Sequence, residues 1–184
     1  MNVFIAGDYC PLNRVAKLLE EGRYDTVLGE VRQYTSESDY NIVNLECPIA
    51  YGGEKSPLDR LSLSYNEKGL DALKWAGFNC VTLANNHFRD KGDDGVINTI
   101  EACCTKNIDF VGGGRNLLEA GKTLYKSVNG EKLAIINCCE HEFSLAKDNR
   151  GGSNPLNLAR QYYSIREAKR NADFPANVNF RITA

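Results

Sequence analysis

Five residues with metal-ligating or proton-handling side chains, Asp8, Glu46, Asn85, Asn86 and His87, each stand at the end of an apolar run. The runs are "NVFIAGD", "YNIVNLE" and "NCVTLANN", and a fourth, "LAIINCC", leads into Glu140, His141 and Glu142. Short apolar runs bounded by polar and turn residues read as buried strands. In an open α/β sheet, ligands bind in the crevice beyond the carboxyl ends of the strands. Four distant segments can therefore deliver side chains to one rim. Carboxylate oxygen, amide oxygen and imidazole nitrogen together suit a divalent cation of the Mn, Mg, Fe or Zn type. A cation held by Asp8, Glu46 and Asn86 would polarise a substrate oxygen and acidify water, while His87 donates to the developing charge or leaving group.

Each residue also has a plainer explanation. A lone Gly-Asp such as Gly7-Asp8 more often caps a turn than binds an ion. Asn85, Asn86 and His87 can form an amide-stabilised turn with a hydrogen-bonded histidine. Glu46 is harder to explain away, because a carboxylate directly after Ile-Val-Asn-Leu is costly to bury unless paired or bound to a cation. Asp90, Asp93 and Asp94 compete as helix caps and dipole partners for "GVINTIEACC", so of these Asp90 alone is carried as a catalytic candidate beside His87. Gly112-Gly113-Gly114 lacks both the G-x-G-x-x-G spacing and a following G-K-[ST]. It reads as a tight strand-to-helix turn, with Arg115 a candidate anion contact, and a Rossmann-like nucleotide site is a weak rival. Glu140 to Glu142 is too short for the H-E-x-x-H zinc helix, but it can face the same rim.

The elements that position these residues alternate. Helical patterns over 11–24, 25–38, 66–77, 94–107 and a short one near 116–121 are interleaved with strands over 2–8, 40–46, 79–86 and 108–114. Two further strands meet at Asn129-Gly130, a strong hairpin signal, and a last helix is expected to begin near Asn154-Pro155. The 184 residues fit one domain. With 42% hydrophobic residues, 25% charged residues and a formal net charge of -2, the chain looks like an ordinary globular protein. Its Lys and Arg are scattered, which argues against nucleic acid. No signal peptide and no run of roughly 18 apolar residues is visible, so the expected location is cytoplasmic. Seven cysteines without C-x-x-C spacing suggest reduced, mostly buried thiols.

The order and spacing of "GDYC", "NLECPI", "LANNHFRDKGDDGVINTI" and "VGGGRNLLEA" resemble the capsule-synthesis protein CapA family, the poly-gamma-glutamate biosynthesis proteins with a calcineurin-like metallophosphatase fold. The similarity covers most of residues 1 to about 172 and is most specific in the "LANNH" block. It implies an α/β fold, the N-terminal half of an α/β/β/α sandwich with a mixed sheet flanked by helices. It also implies Asp8, Glu46 and Asn86 as metal ligands, His87 beside the reacting group, and a polyglutamate- or polysaccharide-related substrate. Asp90, Gly92, Gly95 and Thr99 fit the family pattern as well.

In the family the chain continues into a strand ending in a His-Gly motif and later a Gly-His-x-His motif, which supply the remaining ligands. Here Asp173 is followed by "FPANVNFRITA", no histidine follows His141, and Pro175 should break a central strand. The expectation is therefore an incomplete domain over 1–173 with an atypical tail at 174–184. A half sandwich would expose an apolar sheet face to be covered by a second copy or a partner chain, and a metal bound weakly or absent. A non-catalytic remnant or binding module is the alternative to a hydrolase.

Overall fold

The structure, a computed structural model, describes residues 1–52, 62–141 and 143–177. In chain order the elements begin with β1 (Val3–Tyr9), α1 (Asn13–Glu20), α2 (Tyr24–Ser36), β2 (Tyr40–Leu45), α3 (Lys68–Trp75), β3 (Cys80–Thr82), α4 (Gly92–Lys106) and β4 (Asp109–Val111). They continue as β5 (Gly113–Gly114), α5 (Leu117–Ala120), β6 (Leu124–Val128), β7 (Glu131–Ile136), β8 (Gly152–Ser153), α6 (Leu158–Asn171) and β9 (Phe174–Asn177). Strands β1 to β4 form a parallel sheet in sequence order.

Period-two alternation decides which side of this sheet each residue serves. Val43, Leu45, Val81 and Leu83 point to the helices and pack with Leu19, Leu28, Leu70, Leu73 and Ile100. Tyr40, Ile42, Cys80 and Val111 point the other way, onto Leu133 and Ile135 of β7. Because both faces are buried, the strands read as continuous apolar runs rather than alternating ones, and each fully buried Leu or Ile contributes about 1.5–3 kcal/mol. The second sheet has the order β6-β7-β9. Its hairpin turns at Asn129 (φ 51°) and Gly130 (φ 85°), the left-handed pair a two-residue hairpin requires. Ala134 and Ile136 on its outer face meet Ala168 and Ile165 of α6. The layers are thus helix, sheet, sheet, helix.

Several expectations are corrected. The run 108–114 is two strands, because Gly112 (φ 83°) turns the chain out of the parallel sheet and hands Gly113–Gly114 to an antiparallel pair with β8. The last helix starts at Leu158 with the Asn157 side chain accepting from Arg160 N–H, while Pro155 bridges to Cys139 instead. Pro175 does not break a central strand: it lies in β9, opposite Ala134, at the edge of its sheet, where a missing N–H is tolerated. The first four residues of the 174–184 tail therefore join the second sheet, and residues 178–184 lie outside the described residues. The inner face of the parallel sheet is not left bare either, because β6, β7 and β9 cover it. Exposed apolar surface is confined on these strands to Ile5 and Phe174, at 46% and 43%.

Candidate functional site

A bulge prepares the rim. Ile5 pairs with Ile42, but Asp8 pairs with Asn44, so three residues of β1 span two of β2. With unbroken alternation along β1, Asp8 would share the helix-facing side of Phe4 and Ala6. The bulge turns it instead to the side of Asn44 and returns Tyr9 to the helix-side core. Re-aiming a side chain beside a site is a recurrent use of β-bulges. Asn44 Nδ2 donates to Asp8 Oδ1 at 2.7 Å.

From Asn44 hydrogen bonds lead to the His87 backbone, and the His87 ring carries the link on to Asp90. Asn44 Oδ1 accepts from Thr82 Oγ1 at 3.1 Å and from Asn85 Nδ2 at 3.3 Å. Asn85 Nδ2 also donates to the Leu45 carbonyl at 2.9 Å, and Asn85 Oδ1 accepts from the His87 backbone N–H at 3.0 Å. The His87 ring then places Nδ1 2.7 Å from Asp90 Oδ2. Asp90 is fully buried, and the same oxygen accepts from Leu63 N–H at 2.8 Å. Asn44, Thr82 and Asn85 are all buried, so each needs these partners to offset lost hydration. With Nδ1 engaged by a buried carboxylate, the tautomer is set and Nε2 is the ring nitrogen left for chemistry.

Glu46 lies half-buried beside this chain, its backbone N–H donating to the Tyr9 carbonyl at 3.1 Å. Burial is the main cause that raises its carboxyl above the ordinary range; Asp8 and then Asp90 push the same way, and His87 opposes them. Asp8, His87 and Asp90 are therefore each near enough to act on Glu46. The exposed Asp8 and half-buried Glu46 carboxylates repel, and a cation between them would relieve that cost. In donor type, Asp8, Glu46 and the Asn86 amide fit a hard or borderline divalent ion. In number they fall short: among the described residues no three His, Cys, Asp or Glu side chains converge as a metal-holding group.

The loop is braced from a segment the sequence does not mark. Ser144, fully buried, donates through Oγ to the Asn86 carbonyl at 2.5 Å and accepts from Arg89 N–H at 3.1 Å, so it straddles His87. Ser153 Oγ lies 2.8 Å from the Asn85 carbonyl and 3.2 Å from that of Leu83. Arg89 reaches Asp93 Oδ1 at 2.6 Å and also donates to the Gly151 carbonyl. Asn44 was the one brace with a signal, a polar residue inside "IVNL". Ser144 and Ser153 had none, lying 58 and 68 residues from the carbonyls they hold.

Asp90 does not cap α4, which begins at Gly92 after Lys91 without a side-chain cap. His141 is exposed and its Nε2 lies 3.0 Å from the Leu156 carbonyl; Glu140 is exposed, and Glu142 lies outside the described residues. Arg115 pairs with Glu119 at 3.7 Å. A cavity of about 540 Å³ opens at the outer edge of β4, between Cys104, Phe110, Arg115 and Leu124, but Asp8, Glu46, His87 and Asp90 do not line it.

The profile of the family described as bacterial capsule synthesis protein PGA_cap matches residues 2–178, nearly the whole chain. The chain belongs to this bacterial capsule-synthesis family. A relative, the capsule biosynthesis protein CapA of Bacillus anthracis, is 30% identical over 182 residues, covering 94% of this chain and 44% of that protein. The PGA biosynthesis protein CapA of Bacillus subtilis (strain 168) is 29% identical over 177 residues, covering 94% and 47%. The chain thus spans less than half the length of these capsule-synthesis relatives. In fold it is similar to a novel phosphatase from Mycoplasma pneumoniae, with a TM-score of 0.52 at 20% identity over 100% of this chain and 56% of that one. A hypothetical protein from Thermus thermophilus gives 0.53 at 18% identity, covering 97% and 57%. The phosphatase-like fold accounts for the layered architecture described above. Among the described residues no helix is long and apolar enough to cross a membrane.

Proposed function

We propose that this chain carries a metallophosphatase-type half-site, whose chemistry is metal-assisted hydrolysis or transfer at a phosphate ester or amide within capsule or poly-gamma-glutamate synthesis. The observation that carries the reading is the set of hydrogen bonds that joins Asp8 through Asn44 and Asn85 to the His87 backbone and the His87 ring to Asp90, with the Glu46 carboxylate beside it. Asp8, Glu46 and Asn86 would hold a divalent ion, which when bound polarises a substrate oxygen and activates water. Asp90 orients the His87 ring, and protonated His87 would hand a proton from Nε2 to the leaving group. Ser144 fixes the backbone on both sides of His87 and so holds Nε2 in place.

A second reading, a binding module that keeps the fold without turnover, is favoured by the absence of a three-residue acid, cysteine or histidine cluster among the described residues. The exposed Ile5 and Phe174, on the outer strands β1 and β9 of the two sheets, support a second copy or partner chain at a strand edge. Turnover of a chromogenic phosphodiester with added Mn²⁺ separates the two readings. Activity that falls by about 10²–10⁴ in His87→Ala, with the fold intact by circular dichroism, is the expected result. No turnover by the unsubstituted chain with Mn²⁺, Fe²⁺, Zn²⁺ or Mg²⁺ leaves the binding module.

A further inference from the structure

Two cysteines flank the carboxylates of the rim. Cys10 follows Asp8 by two residues at the end of β1, and Cys47 follows Glu46 directly at the end of β2. The register Tyr9 to Leu45 and the Glu46 N–H to Tyr9 carbonyl bond bring the two strand ends side by side. Cys47 lies one residue beyond the position opposite Cys10, so with strands about 4.8 Å apart and a rise of about 3.3 Å per residue the diagonal between the two Cα atoms is roughly 6 Å, inside the window of about 4.4–6.8 Å that a disulfide requires. Cys10 packs against the core cluster that contains Cys47. Both are free thiols, Cys47 buried and Cys10 half-buried, so an oxidant reaches Cys10 first. The other close pairs, Cys103 with Cys104 and Cys138 with Cys139, are sequence neighbours, where a disulfide closes a strained ring.

We propose that Cys10 and Cys47 are a modification site, forming a reversible disulfide between the strand ends that carry Asp8 and Glu46. The oxidant is a small-molecule disulfide. The Cys10 sulfur attacks one of its sulfurs, and the expelled thiolate takes up the Cys10 proton. The Cys47 sulfur then attacks Cys10, breaking the mixed disulfide and expelling the second small thiol with the Cys47 proton. Two protein thiols are oxidised and one small disulfide is reduced to two thiols. The bond ties β1, an outer strand with a bulge next to Asp8, to its one neighbour in the parallel sheet.

The test is incubation of the reduced full chain with oxidised glutathione, alkylation of the remaining thiols, digestion without reductant and mass spectrometry. The expected result is a joined peptide pair through Cys10 and Cys47 as the main product, reversed by dithiothreitol. In Cys47→Ser the same treatment should leave a glutathionyl group trapped on Cys10. Glutathione retained on Cys10 of the unsubstituted chain without the joined peptides overturns the proposal, as does alkylation of Cys10 and Cys47 at full yield. The readout needs neither metal nor turnover, so its failure is separate from failure of the hydrolytic reading.

Discussion

Adjacent parallel strands β3 and β4 end in loops of opposite character. After β3 the chain spends its polar side chains on one another, and Asn85, His87 and Asp90 form a chain of hydrogen bonds that opens onto the rim. After β4 it spends glycines on close approach. A β-carbon at Gly112 would collide with Asn137 Oδ1, one at Gly113 would lie 2.7 Å from both Leu83 and Phe88, and one at Gly114 would collide with the Ala120 backbone nitrogen. Asn137 cannot yield, because its Oδ1 accepts from Ala84 N–H at 2.8 Å and so holds the start of the β3 loop. Position at the carboxyl edge of a sheet therefore does not by itself make a loop functional. The glycine loop supports the polar loop, and the two should respond to substitution in different ways.

The largest effect is expected at Gly112. Gly112→Val combines a left-handed backbone with a clash against Asn137, and should cost more than about 3 kcal/mol or abolish folding, as urea denaturation would show. His87→Ala on the other loop should cost less, about 1 kcal/mol, because the buried Asp90 carboxylate loses one partner and keeps Leu63 N–H. A tolerated Gly112→Val would break the contrast.

Asp90→Ala should fall between these extremes. It removes the acceptor of both Leu63 N–H and His87, for a cost of about 1–3 kcal/mol, and turnover should drop as in His87→Ala. Asp90→Asn would sharpen the point by retaining shape while losing the charge behind the ring, so it should lower turnover more than stability.

Ser144→Ala removes the bridge between the Asn86 carbonyl and Arg89 N–H, with an expected loss of about 1–2 kcal/mol. If His87 placement depends on it, turnover should fall more than in an equally destabilised core variant such as Ile100→Val.

The smallest effect concerns helix α4, which follows the polar loop yet packs like the glycine loop. Burial pushes the Cys103 thiol from 9.0 up to about 12. The folded chain holds this proton while the unfolded chain releases it, so stability is fully present below pH 9.0 and declines as pH rises toward about 12. The loss over the first unit above that onset is about 1 kcal/mol, and Cys103→Ala should flatten the slope in a series of denaturation curves.

Much of this contrast was legible in the sequence. The strand ends at Asp8, Glu46 and His87 could be read from apolar runs that stop at polar residues, because burial on both faces leaves that mark. The missing G-x-G-x-x-G spacing already pointed away from a nucleotide loop and to a tight turn at Gly112 to Gly114, though not to the strand pair that follows Gly112. The bulge that turns Asp8 toward Asn44 was not legible, since one extra residue in a strand alters no local pattern. Nor was β8, whose two residues, Gly152 and Ser153, carry no strand propensity and are held by β5 and by the carbonyls of the polar loop. Asp90 looked like a helix cap because its partner, Leu63 N–H, lies 27 residues away. Pro175 looked like a breaker because a sequence does not distinguish an edge strand from a central one.

The central claim is that Asp8, Glu46 and the His87–Asp90 pair form one cation-dependent site. Its most direct test is calorimetric titration of the metal-stripped chain with Mn²⁺, repeated on Asp8→Asn, Glu46→Gln and Gly130→Ala. The account predicts one binding event that is lost or weakened at least about tenfold, or 1.4 kcal/mol, in the two carboxylate variants and kept in the hairpin variant. Binding unaffected by Asp8→Asn and Glu46→Gln, or no heat from the unsubstituted chain, would contradict it.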